Sequence, residues 1–289
     1  MVREDPGKVL AILAELERLE DERQTEVPQG VISTGLPSLD AALVVKGIPR
    51  GHITHCCGDN YAGKTVALCH VAESVTSTNG SVVVADLDRS FHFKYMKDIG
   101  VDINNIEFIR TREIQTITRT LEICVEHGVD LFILDSLAAL PAIPSLDTRE
   151  VGRIQDIIHG SRTAVIISNQ NRVGKHGMCP CYAEIMDMIS PITFYLKTHH
   201  HVVSDGQIVG HYVNAHVVKN RFSPATFIPR LRLIYGSGFD KADSLLELMI
   251  LDGRVQRAGS WYYYDGEPYQ GREELRRCLE NELRPFARA

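Results

Sequence analysis

Hydrophobic positions divide most of this chain into short apolar runs separated by longer amphipathic stretches. From Gly51 onward, the runs GHITHCC, SVVVA, LFILD and TAVIIS are typical of buried strands, and the stretches between them have helical spacing. Such alternation predicts an α/β fold, with a mostly parallel central sheet covered by helices on both faces. After Pro191, the runs FYLKT, GHYVNAHVV and FIPRLRLIY predict further strands in an antiparallel meander.

The two ends of the chain follow other patterns. Residues 6–23 have apolar side chains at helical spacing and precede the polar joint TEVPQG, which predicts an N-terminal helix and linker over residues 1–30. This helix would dock either on its own core, over residues 31–239, or on a neighbouring subunit. Residues 240–289 predict a small α+β lobe with two helices and a hairpin that turns at Asp265-Gly266.

Composition narrows the class of protein. The 289 residues are 44% hydrophobic and carry a net charge of −6, so a sizeable core is expected and any nucleic-acid contact must come from local patches. Seven scattered cysteines argue against a disulfide framework and for a reducing compartment. Without a long apolar run or an apolar leader, the sequence predicts a cytoplasmic protein that does not cross a membrane.

A glycine-rich motif carries the strongest chemical signal. GDNYAGKT lies between a predicted strand and a predicted helix, which is the context a phosphate-binding P-loop requires. Glycines let the backbone N–H groups face phosphate oxygens, and the helix N-terminus adds a positive dipole. Lys64 would reach the β- and γ-phosphates and Thr65 would bind Mg²⁺. The predicted phosphate-binding residues are Gly58, Asp59, Asn60, Tyr61, Ala62, Gly63, Lys64 and Thr65.

Polar side chains end three other predicted strands. Asp135 closes LFILD and is the expected carboxylate of the metal site. Asp86 and Asp88 follow SVVVA; one of them would orient the attacking water, or either would only cap the next helix. Asn169 and Gln170 follow TAVIIS, where an amide could sense the γ-phosphate. Because carboxyl ends of parallel strands meet at one edge, these groups are expected in one crevice.

Seven ordered blocks resemble the bacterial RecA recombinase family, and together they run from about Val31 to Gly271. The blocks are ISTGLPSLDAAL with GIPRGHI, DLDRSFHFKYMKDIGVDINNI, LFILDSLAAL, SNQNR, VVKNRFSPATF, LIYGSGFD and AGSWYYYDGEPYQG. The resemblance implies a RecA-type ATPase that polymerises on single-stranded DNA as a helical filament, pairs it with homologous duplex DNA and exchanges strands. Its N-terminal helix would dock on the adjacent subunit.

The resemblance also implies roles for individual residues. Tyr95 would pack on adenine, and this position, with the resemblance, is the basis for expecting ATP. Gln170 would couple the ATP state to the DNA-binding loop. Lys219 and Arg221 would reach the γ-phosphate of the neighbouring subunit, unless they are only solvated strand charges. Tyr235 would lie near the nucleotide at the same interface.

Three departures from the family pattern affect the expected mechanism. Asp88 stands where the family has a glutamate that activates water, so slow hydrolysis or a relay through a second water is expected. The first DNA-binding loop shrinks to PAIPSLDT, which puts duplex capture in doubt. The second loop, NRVGKHGMCPCYAEIMDMIS, offers DNA contacts from Arg172, Lys175 and His176, but its glycine pair is replaced by Met188 and Ile189.

The sequence therefore predicts a Mg²⁺-dependent, DNA-dependent ATPase of homologous recombination and repair that forms filaments on single-stranded DNA. Two alternatives remain open at this point. One is a regulatory paralogue or mediator that binds ATP and a partner filament without exchanging strands. The other is a helicase-like ring ATPase of the same fold superfamily, against which the C-terminal hairpin lobe speaks.

Overall fold

A computed structural model gives the structure of the protein over residues 30–140, 148–174, 177–223 and 227–283. Within these ranges, residues 148–151, 172–174 and 177–180 are described by their backbone alone. The predicted N-terminal helix, the PAIPSLDT interval up to residue 147, and Lys175 and His176 all lie outside the described residues.

Strands and helices alternate through the first two thirds of the described chain. The strands are β1 (Val31–Ile32), β2 (Ile48–Pro49), β3 (Ile53–Gly58), β4 (Val82–Asp86), β5 (Ile106–Ile109), β6 (Leu131–Asp135), β7 (Ala164–Ser168), β8 (Asn171–Gly174), β9 (Gly177–Pro180), β10 (Ile192–Ser204), β11 (Gln207–Asn220), β12 (Arg230–Ile234), β13 (Gly238–Phe239), β14 (Gln256–Ala258), β15 (Trp261–Tyr264) and β16 (Glu267–Gln270). The helices are α1 (Pro37–Ala42), α2 (Lys64–Thr76), α3 (Phe93–Ile99), α4 (Ile114–Glu126), α5 (Thr148–Ile158), α6 (Ala183–Ile189), α7 (Lys241–Leu251) and α8 (Arg272–Leu283).

Within the described residues, the central sheet has nine strands in the order β13-β12-β11-β10-β3-β7-β6-β4-β5. The strands from β10 to β5 in that order are parallel, whereas β11, β12 and β13 continue from β10 as an antiparallel meander. Both features confirm the predicted α/β class. The crossovers place the carboxyl ends of β3, β4, β6 and β7 side by side, and the candidate site forms there.

The central strands β3, β6 and β7 are buried at every position, and β6 and β7 are apolar at every position except the last. Alternate residues of β6 belong to two different clusters: Leu131 and Ile133 pack with α2, and Phe132 and Leu134 pack with α4. Residues 242–283 form a third cluster of their own around Leu246 and Leu275, which joins α7, α8 and the β14–β16 sheet. No helix in the described part of the chain is long and apolar enough to span a membrane.

Several elements differ from the expectations based on periodicity. Strand β5 has only four residues and pairs with β4 alone at the sheet edge, so its pattern is too short to be distinctive. In FIPRLRLIY, only Arg230–Ile234 is a strand, since Pro229 has no N–H to donate to a ladder. The expected hairpin at Asp265-Gly266 forms between β15 and β16, and β14 adds a third strand.

Candidate nucleotide-binding site

The loop between β3 and α2 is shaped by two glycines. A Cβ at Gly58 would lie 2.4 Å from the Leu196 carbonyl oxygen. The strands β3 and β10 can therefore lie this close only because residue 58 has no side chain. Gly63 caps α2 with φ of +81°, and a Cβ there would meet the Phe239 ring at 3.0 Å. The backbone therefore turns sharply and presents the N-terminus of α2 to the cleft, as phosphate binding requires.

Lys64 lies across this loop. Its Nζ donates to the carbonyl oxygens of Gly58 at 3.1 Å and Asp59 at 2.7 Å. The ammonium is thus held at the centre of the curled backbone, where a phosphate group would compete with the carbonyls for it. Charge, loop shape and helix N-terminus all suit a triphosphate.

Asp135 lies next to Thr65 at the bottom of the cleft. Its carboxylate accepts hydrogen bonds from Thr65 Oγ1 and Ser90 Oγ, each at 2.7 Å, and from Ser168 Oγ. Burial raises the pKa of Asp135, and these three hydroxyls oppose the rise. A buried carboxylate beside a hydroxyl at a P-loop is the hard-oxygen donor set that fits Mg²⁺.

The two acids after β4 lie in different environments. Asp86 is fully buried, accepts from the Ser90 backbone N–H at 2.8 Å and pairs with Arg110 at 3.5 Å, so it fixes the loop after β4. Asp88 is exposed, and its Oδ2 accepts from Ser136 Oγ at 2.7 Å and Gln170 Nε2 at 3.3 Å. Of the two, only Asp88 is open to water, as a group that orients water must be.

An open cleft of about 840 Å³ lies over the loop. It is lined by the P-loop, by Ser90 and Gln170, and by Tyr95, His211 and Tyr235. Burial raises the pKa of Tyr95, and its aromatic ring is suited to stacking on a base. The Tyr235 hydroxyl lies 3.2 Å from His211 Nδ1. Both residues line the cleft together with the P-loop of the same chain.

A β-hairpin follows the end of β7. Strands β8 and β9 pair from Asn171 opposite Pro180 to Gly174 opposite Gly177. The base of the hairpin is held by Asn169, whose side-chain amide donates to the Cys181 carbonyl at 2.5 Å, and by the Cys181 N–H, which donates to the Gln170 carbonyl at 3.2 Å. The predicted second DNA loop therefore starts as a hairpin anchored beside the nucleotide cleft.

Comparison with known proteins identifies the fold family. The model of the RecA N-terminal domain matches residues 14–240, which is more than half of the chain. The chain belongs to the RecA family. It is 28% identical over 281 residues to Protein RecA of Streptomyces venezuelae, covering 89% of this chain and 74% of that protein. Identity to Protein RecA of Syntrophobacter fumaroxidans is 28% over 283 residues, covering 90% of this chain and 82% of that protein.

Lys219 and Arg221, the two basic side chains expected to reach a neighbouring phosphate, lie away from the P-loop of their own chain. Because β11 runs antiparallel to β10, Lys219 pairs with Thr193 near the amino ends of the parallel strands. Its Nζ contacts the Asp187 carbonyl and, at 3.0 Å, Asp187 Oδ1, while Arg221 donates to the Met188 carbonyl at 3.2 Å. The P-loop follows the opposite ends of these strands, about 10 Å further along β3.

Other expected residues are placed less completely. Arg172 lies in β8, where the backbone alone is described, and Lys175 and His176 lie outside the described residues. The predicted second loop ends in α6, whose last residue is Ile189, and β10 begins at Ile192. The motif search missed Ser90, Ser136, Ser168 and His211. The three serines lie within two residues of a predicted strand-end acid or amide, and that adjacency was the one available signal.

Proposed function

We propose that this RecA-family chain is a Mg²⁺-ATP-dependent ATPase that assembles into helical filaments on single-stranded DNA and promotes pairing and strand exchange with duplex DNA. The observation that carries the proposal is that Lys219 and Arg221 lie near the amino ends of the parallel strands, whereas a well-formed P-loop follows their carboxyl ends. Cations in that place complete a phosphate site only on a second copy. Repeating this head-to-tail contact generates a ring or a helix.

Within one chain, each side chain near the P-loop has a distinct task. The loop backbone and Lys64 bind the phosphates, while Tyr95 and Tyr235 flank the space for the base. Thr65 and Asp135 would hold Mg²⁺, which would neutralise the negative charge of the phosphates. Asp88 orients the attacking water. The Asp88 carboxylate is itself held in place by hydrogen bonds from the Ser136 hydroxyl and the Gln170 amide.

Between chains, Lys219 and Arg221 stabilise the charge that develops on the γ-phosphate of the neighbour. A cation supplied in trans is worth roughly 10³–10⁵ in turnover in phosphoryl-transfer enzymes. Assembly and hydrolysis are thereby coupled, since an isolated chain lacks the cation. Arg172, Lys175 and His176 of the second loop, which follows Gln170 in the sequence, bind the DNA backbone through contacts whose strength falls with salt.

The test is complementation between two inactive variants. Lys64→Ala lacks the phosphate lysine and Lys219→Ala lacks the trans cation, so each alone should lose DNA-stimulated phosphate release. In an equal mixture, half of the P-loops are intact and half of their neighbours supply Lys219, so about a quarter of wild-type turnover should return. Negative-stain images of the active samples should show helical filaments on DNA.

The matched control replaces Lys64→Ala in the mixture by the double variant Lys64→Ala/Lys219→Ala, which cannot complement. A mixture that stays inactive, although both variants bind ATP or DNA as expected, contradicts catalysis in trans. Turnover of Lys219→Ala alone at the wild-type rate contradicts it as well.

A further inference from the structure

Asp59, the second residue of the P-loop, uses its side chain away from the phosphates. The Tyr195 hydroxyl donates to Asp59 Oδ1 at 2.5 Å, and the Thr198 backbone N–H donates to Asp59 Oδ2 at 3.2 Å. Tyr195 and Thr198 both belong to β10, which pairs with β3 immediately before the loop. The position of Asp59 is therefore tied to β10 as well as to its own strand.

The same hydroxyl of Tyr195 also accepts a hydrogen bond. Asn171 Nδ2 donates to it at 2.7 Å, and Asn171 is the first residue of the β8–β9 hairpin. Burial and then the bond to Asp59 raise the pKa of Tyr195 to about 12, so its proton stays in place at neutral pH. Tyr195 thus links a P-loop carboxylate to the hairpin by two short hydrogen bonds.

At its other end this link reaches the phosphate-binding ammonium. Lys64 Nζ donates to the Asp59 carbonyl at 2.7 Å, so Lys64, Asp59, Tyr195 and Asn171 form one contiguous series of hydrogen bonds. A bound triphosphate would compete for the Lys64 ammonium and would free the Asp59 carbonyl. The P-loop would then be free to shift at Asp59, and Tyr195 would transmit that displacement to β10 and the hairpin.

We propose that Asp59, Tyr195 and Asn171 are positioning residues that couple nucleotide binding at the P-loop to the placement of the β8–β9 hairpin. The part of the proposal that concerns DNA rests on the function proposed above. This link is separate from the Gln170–Asp88 contact, since it starts at the second P-loop residue and passes through β10. A physical coupling of this kind is established by measuring it and not by proximity.

Hydrogen exchange of the hairpin amides gives the direct test, because it needs no DNA and no turnover. In the wild type, a non-hydrolysable ATP analogue with Mg²⁺ should slow exchange over residues 171–180. Tyr195→Phe keeps the ring but loses both hydrogen bonds, and it should reduce this nucleotide effect by roughly 5-fold or more. The matched control is Tyr264→Phe, whose hydroxyl lies 3.5 Å from Glu282 in the C-terminal lobe and which should behave as wild type.

A second variant protects the test against a folding defect. Asn171→Leu breaks the link at the hairpin end, and the double variant Asn171→Leu/Tyr195→Phe should lose no more of the nucleotide effect than either single variant. Additive losses overturn the proposal. So does a Tyr195→Phe protein that keeps the wild-type nucleotide effect, or a wild type whose hairpin amides ignore the analogue.

Binding of a labelled oligothymidylate separates this proposal from the function it rests on. The ratio of its Kd with ADP to its Kd with the ATP analogue should fall by roughly 5-fold or more in Tyr195→Phe, with ATP affinity little changed. If the wild type binds no DNA with either nucleotide, the recombinase function fails, whereas the exchange experiment still decides whether the link couples loop and hairpin.

Discussion

At the scale of single residues, Asp135 serves two opposing demands. The folded chain buries its carboxylate among three hydroxyls, and this burial disfavours the charged form. A metal site needs that same charge. Under the proposed function, the residue costs stability in the free protein and returns it when Mg²⁺ and nucleotide bind.

Replacing this charge should separate stability from activity. Asp135→Asn is expected to abolish ATP hydrolysis but to raise the free energy of unfolding without Mg²⁺ or nucleotide. Because the folded pKa is raised, the wild-type penalty is full above that pKa and is lost as the pH falls through it. Urea unfolding of both proteins over a pH series from neutral pH towards the ordinary aspartate pKa of 3.8 should show the gap narrowing in acid. A gap that does not change with pH contradicts the assignment.

Variants of Asp88 test whether its carboxylate orients the attacking water and whether its side chain is long enough to do so. Asp88→Asn keeps the shape of the side chain but cannot accept a proton, and kcat for phosphate release should fall by roughly 100-fold or more with KM little changed. Asp88→Glu adds one methylene and restores the residue typical of the family, so kcat should rise. The control is Asp98→Asn, which changes an exposed acid of α3. If Asp88→Asn has the same kcat as Asp98→Asn, Asp88 does not act as a general base.

At the scale of secondary-structure elements, α6 connects the hairpin to the cations at the end of β11. Lys219 pairs with the exposed Asp187 of α6, and that hydrogen bond lowers the pKa of Asp187. If Lys219 serves a neighbouring chain, it must leave this partner. The helix that follows the hairpin therefore competes with a phosphate for the same ammonium.

Weakening the pair should favour the assembled state. Asp187→Asn is expected to raise DNA-stimulated turnover at low protein concentration, since Lys219 is then more often available to the neighbouring subunit. Turnover measured across a protein dilution series would show the onset at lower concentration. Glu184→Gln, an exposed acid on the same helix, is the control, and equal curves for all three proteins would rule out the competition.

At the scale of the whole molecule, charged groups fasten the small C-terminal lobe to the core. Arg232 of β12 pairs with Asp240 at 3.5 Å and with Glu273 of α8 at 2.9 Å. Ser38 of α1 lies 2.8 Å from Ser244 of α7 through their hydroxyls. Polar contacts of this kind fix orientation, whereas the apolar cluster of residues 242–283 supplies the packing of the lobe itself.

One pair within the lobe should matter much more than its neighbours. Arg272 Nε donates to Asp243 Oδ1 at 2.8 Å, and the Asp243 side chain is 1% exposed. Arg272→Leu leaves that charge buried without its partner and should destabilise the chain by about 3–5 kcal/mol in urea unfolding. The double variant Asp243→Leu/Arg272→Leu should recover part of the loss.

The control lies on the same helix. The Arg277 side chain is 73% exposed and pairs with Glu273 at 3.6 Å. Arg277→Leu should therefore change the free energy of unfolding by less than about 1 kcal/mol. Equal losses for Arg272→Leu and Arg277→Leu would mean that burial of Asp243 does not decide the cost.

The sequence by itself determined the α/β class, the P-loop, the strand-ending Asp135 and the relation to the RecA family. The first three are local signals, since side-chain period, glycine spacing and an acid after an apolar run are all read within a few residues. The family relation rests on seven such short blocks in the same order along the chain. Short or edge elements such as β5 and α3 carry too few residues to show a period, and they emerged only in the fold.

Tertiary structure alone decided how distant residues meet. Strand order brings Ser168 of β7 and Thr65 of α2 within hydrogen-bond distance of Asp135. The antiparallel direction of β11 places Lys219 near the amino ends of the parallel strands, away from the P-loop of its own chain. The Asp59–Tyr195–Asn171 link joins positions 136 and 24 residues apart. No local pattern encodes such contacts, because they depend on which strands pair and in which register, and that is settled by packing of the whole core.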